Sequence, residues 1–156
     1  MLQSLLWYYY CDIHFIQVEQ ASTLGGGMAE ENCIATAAVF IVADLKKSTS
    51  WYVDHLGFFA ADLDWNENPS FSIVRCEGAA IMLKQGKKKA MANRHHAPGE
   101  VVSDAYFWVR DLKKIKLNLD VGGTEIFAGP TKRSYGCTEI MVLDPDDYLI
   151  CFGNCP

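Results

Sequence analysis

The sequence predicts an α+β fold in which two βαβββ modules form a curved mixed sheet with a concave cleft. Three observations predict it. First, Val42-Ala43-Asp44-Leu45-Lys46-Lys47 and Val109-Arg110-Asp111-Leu112-Lys113-Lys114 stand 67 residues apart and differ only at their second position. Second, each of these joints is preceded by a β-rich run and followed by one helical stripe and then three short β-rich runs. Third, the chain is 156 residues long, 50% hydrophobic and 21% charged, which suits one compact, well-filled domain. The repeat reads as an internal duplication, with modules at 37–85 and 103–153 of a single domain spanning 37–153.

The elements follow in order. Ala37–Val42 is a continuous apolar run with β-branched residues, a buried strand. Asp44 caps the helix that follows, Leu45, Tyr52 and Leu56 share one of its faces, and Gly57 supplies a left-handed stop. Phe58–Trp65, Phe71–Cys76 and Ala79–Lys84 are short strands, separated by Asn66-Glu67-Asn68-Pro69 and by Glu77-Gly78. In the second module Asp104–Arg110 is an aromatic strand and Asp111 a second cap. Leu112, Ile115 and Leu119 mark a helix ending at Gly122-Gly123. Strands at Thr124–Phe127, Thr138–Leu143 and Tyr148–Phe152 complete the pattern.

Residues 1–36 read as an N-terminal extension and linker. An aromatic cluster (Trp7, Tyr8, Tyr9, Tyr10) is followed by a polar stretch and by Gly25-Gly26-Gly27, a flexible joint, directly before Met28. The rival reading is an added strand or helix that covers a partner's surface. The opening lacks the basic region and small-residue cleavage site of a secretory signal, so a cytoplasmic location is expected. No stretch has the length of a bilayer span, so no membrane is expected.

The net charge is −5, and the first Lys or Arg is Lys46, after five acids. Beyond Asp44 the remaining 14 acids balance 14 bases. A body with no dominant basic face is a poor nucleic-acid binder, because that affinity rests largely on paired phosphates. The six cysteines (Cys11, Cys33, Cys76, Cys137, Cys151, Cys155) are irregularly spaced and form no C-x-x-C, which reads as buried free thiols.

Val42-Ala43-Asp44-Leu45 leading to Trp51-Tyr52 and His55-Leu56-Gly57-Phe58, then Tyr135-Gly136-Cys137-Thr138-Glu139, and finally Asp144-Pro145-Asp146-Asp147-Tyr148-Leu149-Ile150 together resemble the vicinal oxygen chelate superfamily. That superfamily includes glyoxalase I, extradiol dioxygenases, fosfomycin resistance enzymes and bleomycin resistance proteins. The resemblance runs from about Ala37 to Gly153 and is nearest to the bleomycin-resistance branch. It implies the glyoxalase/bleomycin resistance fold and, for the enzymes, a divalent metal held on the first and last strands of each module. By register those positions are Ala37, Met82, Asp104 and Cys151. A methyl group cannot coordinate, and a thioether is a poor ligand for hard or borderline ions, so no metal and no cofactor are expected.

Strand alternation instead places Asp104, Tyr106, Trp108 and Arg110 toward the cleft and Ala105, Phe107 and Val109 toward the helix. Ala80, Met82 and Lys84 share the cleft side of the other half with Val39 and Ile41 nearby, and Trp65 and Phe71 flank its rim. The expected ligand-binding residues are Asp104, Tyr106, Trp108, Arg110, Met82, Trp65, Phe71 and Cys151. Rings for stacking and a carboxylate for opposite charge suit an aromatic or cationic organic compound.

Other groups carry less. Asp104, Glu139 and Tyr135 are candidates for acid–base work without an evident partner, and Glu139 equally suits a structural hydrogen-bonding role. Cys151 is a conceivable nucleophile but more simply an inert thiol. Gln85–Val101, with Lys87, Lys88, Lys89, Arg94 and His95-His96, reads as a solvated connector or as an electrostatic lid over an anion. Asp146-Asp147 is a hairpin turn with no chemistry assigned.

The leading expectation is a metal-free small-molecule binding protein that sequesters or carries its ligand in a cleft completed by homodimerisation. One alternative is a lyase, isomerase or dioxygenase of the same superfamily with an atypical or absent metal site. Another is an interaction module docking through Met1–Gly27.

Overall fold

The computed structural model describes residues 35–61, 70–88, 91–97 and 101–156, all within the unit Cys33–Pro156. The expectations for the N-terminal extension and for Trp65 lie outside these residues.

The first module runs β1 (Ala37–Val42), α1 (Leu45–Leu56), β2 (Phe59–Ala61), β3 (Phe71–Cys76) and β4 (Ala79–Gln85). A short 3-10 turn at Asn93–His95 lies in the connector. The second module repeats the order with β5 (Ala105–Trp108), α2 (Leu112–Gly122), β6 (Ile126–Lys132), β7 (Thr138–Leu143) and β8 (Leu149–Asn154). The strands divide into two four-stranded sheets, one per module, ordered β1-β4-β3-β2 and β5-β8-β7-β6. Each sheet is mixed, because the first strand of each module pairs parallel with the last and the other pairs are antiparallel.

Local chemistry sets the helix limits. The Asp44 carboxylate accepts from the Lys47 amide, and the Asp111 carboxylate from the Lys113 amide. Each cap satisfies a donor that the first helical turn leaves unpaired. The stops Gly57 and Gly123 take φ of 71° and 68°, left-handed values that glycine adopts without a Cβ penalty.

One core serves both modules. Phe40, Val42, Tyr52, Leu56, Ile81 and Leu83 from the first join Phe107, Leu119, Ile140, Val142, Ile150 and Phe152 from the second. Tyr52, Leu56 and Leu119 come from the helices and the others from alternate strand positions facing them, so the two modules bury their apolar faces together. Polar contacts fix the seam: the Asn118 amide donates to the Leu56 carbonyl at 3.1 Å, and His55 Nδ1 lies 2.7 Å from the Thr124 hydroxyl.

The β7–β8 turn does more than reverse the chain. Asp146, 3% exposed, accepts from the Ala43 amide at 2.7 Å and from the Ser48 hydroxyl at 2.5 Å. The Tyr148 ring stacks on Phe40 at 4.0 Å, while its hydroxyl donates to the Ile41 carbonyl and accepts from the Ile41 amide. The outer edge of β1 is thereby occupied at Ile41 by a side chain of the other module.

Several expectations need correction. Cys137 and Cys155 form a disulfide with their Cα atoms 4.2 Å apart, while Cys76 and Cys151 are free. The β7–β8 pairing of Thr138 with Asn154 brings these two cysteines together at its end, a proximity their separation in sequence hides. The connector is tethered at Asn93–His95, although Asn93 and His95 remain exposed. Arg94 and His95 both engage Asp147, the Arg94 guanidinium lies 5.8 Å from the Phe127 ring centre, and the Asn93 amide donates to Asp104. The β5 ladder is shorter than expected, and β6 begins later and runs further.

Candidate functional site

The helix-free face of the second sheet carries a pair of aromatic rings beside a buried carboxylate. Alternation along β5 sends Phe107 into the shared core and leaves Tyr106 and Trp108 on the opposite face. Tyr106 packs with Met141, Leu149 and Cys151. The Trp108 ring lies 5.1 Å from that of Tyr106, tilted by 55°, and Trp108 is 78% exposed. Gly153, on β8, makes room for Tyr106, because a Cβ there would sit 1.9 Å from the Tyr106 hydroxyl.

Beside the rings lies a buried carboxylate. Glu139 on β7 is 2% exposed, and three donors converge on it. Tyr106 donates to Oε1 at 2.9 Å, Tyr135 donates to the same oxygen, and Arg133 Nε donates to Oε2 at 2.7 Å. Burial by itself would raise the Glu139 pKa, but the bonds from Tyr135, Arg133 and Tyr106 outweigh it and the net shift is downward. The partners respond as expected: burial and the Glu139 bond raise Tyr106, and the Glu139 bond raises Tyr135 and Arg133. Glu139 is therefore an ionised hub that fixes Tyr106 and the β6–β7 turn, which is the hydrogen-bonding role open to it in the sequence. Arg133 was not singled out from the sequence; its place three residues before Gly136 in the turn is the only signal that could have found it.

The remaining expected site residues are dispersed. Both oxygens of Asp104 are engaged, one by the Asn93 amide and one by the Leu149 amide, each at 2.8 Å. Its carboxylate thus ties the connector and β8 to β5. Arg110 lies beyond the end of β5, and its guanidinium meets Glu77 at 3.1 Å rather than joining Tyr106 and Trp108. The strand alternation stops at Trp108 because the Asp111 cap turns the chain into α2. Cys151 is fully buried in the cluster with Met141 and Leu149, and burial first, then Glu139, pushes its thiol up to about 12. Such a thiol is protonated at neutral pH and is no nucleophile. On the first sheet, Met82 is half-buried and Phe71 is 46% exposed, with Val39 at 60% and Phe59 at 68%. This face is largely apolar, with Lys84 in register beside Phe71 and Arg75 beside Phe59.

The donor set does not fit a divalent metal. Ala37 offers a methyl group, Met82 a thioether, Asp104 a carboxylate already bonded to two amides, and Cys151 a buried protonated thiol. Among the described residues no three His, Cys, Asp or Glu side chains converge as a metal site would require.

Comparison with known proteins places this architecture. The solved structure of TioX from Micromonospora sp. ML1 aligns with a TM-score of 0.61 at 14% identity, covering 78% of this chain and 98% of that one. TnmS3, an antibiotic binding protein from Streptomyces sp. CB03234, aligns at 0.58 and 16%, covering 85% and 100%. A glyoxalase / bleomycin resistance protein from Catenulispora acidiphila DSM 44928 aligns at 0.55 and 20%, covering 79% and 99%. At such identities the likeness shows the fold. No curated protein shows significant similarity to the sequence. Residues 34–152, well over half of the sequence, match the Glyoxalase/Bleomycin resistance protein/Dioxygenase superfamily, and the chain belongs to that superfamily.

Proposed function

We propose that this protein binds a small aromatic or cationic organic compound without a metal, on the helix-free face bearing Tyr106 and Trp108. The observation that carries the reading is the ring pair itself: an exposed Trp108 beside a Tyr106 whose hydroxyl is locked on a buried carboxylate. A ring held in one orientation loses little freedom on binding, which is what preorganisation contributes. The relative named as an antibiotic binding protein gives the same reading support from a shared fold.

Energetics set what else the site needs. A ring or cation–π contact contributes about 0.5–2 kcal/mol, whereas micromolar affinity takes about 8 kcal/mol. Two rings are insufficient alone. The exposed apolar face of the first sheet, with Val39, Phe59 and Phe71, is the complementary half, and we propose that a second copy brings it over Tyr106 and Trp108. In this reading the protein is a cytoplasmic homodimer whose modules arose by duplication, and it engages neither nucleic acid nor membrane. No helix among the described residues is long and apolar enough to cross a bilayer.

Calorimetric titration with 9-aminoacridine, a planar aromatic cation, tests the reading. Trp108→Ala is expected to weaken binding by about 5- to 20-fold, the loss of one ring contact. Equal affinity in the two proteins, or no saturation with a broad panel of aromatic and cationic compounds, would remove its basis.

A further inference from the structure

The two modules are built on one plan, and the difference between their hairpin turns leaves a second site on the other side of β5. At the first strand-to-helix joint, the five residues Asp144–Tyr148 fill the space over β1 and the start of α1. Asp146 takes the Ala43 amide, Tyr148 stacks on Phe40, and the Tyr148 hydroxyl meets both backbone groups of Ile41. The corresponding hairpin of the first module has no such insert. Its ladder closes at Cys76 with Ala79, as the other closes at Leu143 with Leu149, and only Glu77 and Gly78 lie between.

The 67-residue offset maps Phe40, Ile41, Ala43 and Lys47 onto Phe107, Trp108, Arg110 and Lys114, while Ser48, the other donor to Asp146, maps onto Ile115. The second joint therefore keeps the amide for a carboxylate and replaces the hydroxyl with apolar surface and Lys114. Gly78 directly precedes β4 as Tyr148 directly precedes β8, and a Cβ built on Gly78 meets nothing within 4 Å. The result is a cleft of about 440 Å³ floored by Leu56, Phe107, Ile115 and Phe152 and edged by Arg110 and Lys114. That volume falls in the range of small-molecule sites.

We infer that this cleft binds a small molecule joining a phenol-type ring to a carboxylate, the groups that Tyr148 and Asp146 supply at the equivalent joint. The ring lies against Phe107, its hydroxyl meets the backbone at Trp108, and its carboxylate takes the Arg110 amide beside Lys114. The lining balances Glu77 and Asp111 against Arg110 and Lys114, and the placement of these charges leaves Lys114 to meet an anion. Glu77 is paired with Arg110, and the Asp111 carboxylate is held by the Lys113 amide. Lys114 has no ion-pair partner among the described residues. Phe107 faces away from Tyr106, so the two sites lie on opposite faces of β5 and meet at Trp108, which lends its backbone here and its ring to the site proposed above.

The test is an amide-resolved NMR titration of the full chain with 3-(4-hydroxyphenyl)propionate. Saturable shifts are expected at Gly78, Arg110 and Lys114. The neutral 3-(4-hydroxyphenyl)propan-1-ol is expected to bind about 10-fold more weakly, since the charge-assisted bonds are lost. Gly78→Tyr, which refills the cleft, is expected to weaken the acid by at least about 10-fold, and Lys114→Glu by about 5- to 10-fold. Lys114 is exposed on α2, so that variant decides the matter even if Gly78→Tyr does not fold. The inference is overturned by the absence of saturable shifts at millimolar probe, by shifts centred on Tyr106 and Cys151, or by wild-type affinity in Lys114→Glu.

Discussion

Glu139→Ala is expected to destabilise the fold by about 3 kcal/mol, read as a lower denaturation midpoint with an unchanged slope. The carboxylate is 2% exposed and accepts from two phenols and a guanidinium. Its removal does not cost the sum of three charge-assisted bonds. Tyr135 is 63% exposed and Arg133 is partly exposed, so both can turn to water. The Tyr106 hydroxyl, packed against β8 at Gly153 with only the Cys155 sulfur 3.9 Å away as a second partner, is less free to turn and bears most of the desolvation penalty. Glu139→Gln retains an acceptor and should cost about half as much. A Glu139→Ala protein within about 0.5 kcal/mol of wild type would mean that the hub carries no structural weight.

The second large effect concerns pH. Burial pushes the Asp144 carboxyl up to about 7; the amides of Tyr148 and Asp146 and the Tyr52 phenol pull it down, and the Asp146 charge adds to the rise. In the unfolded chain the same group releases its proton near pH 4. Between these values the folded state holds a proton that the unfolded state has lost, so stability falls as pH rises from about 4 to about 7 and then levels. The loss from this group is about 2–4 kcal/mol. Asp144→Asn is neutral throughout and keeps an acceptor for the Asp146 and Tyr148 amides, which meet Oδ1 at 2.9 and 2.8 Å. The stability difference between wild type and Asp144→Asn, followed by denaturation across pH 4–8, should therefore move steadily against the wild type. A difference independent of pH would show that Asp144 titrates alike in both states.

Most of the fold is legible in the sequence because its determinants are local. Asp44 and Asp111 cap their helices, Gly57 and Gly123 stop them, and strand alternation sorts Phe107 from Tyr106 and Trp108. What sequence hides is contact between distant segments. Asp146 looks like a turn residue until the fold sets it against Ala43 and Ser48. Asp104 looks like a free charge until the connector and β8 engage both its oxygens. Arg110 follows the alternation of β5 on paper, yet the strand ends two residues before it and the side chain turns to Glu77. The same holds for Cys137 and Cys155, whose pairing is a consequence of β7–β8 register.

The central claim is that rings and apolar surface, rather than an ion, hold the ligand. Titration of 9-aminoacridine into chelator-treated protein, with and without added divalent metal, tests it most directly. The account predicts the same dissociation constant in both conditions. Binding that is lost on chelation and restored by the metal would contradict it.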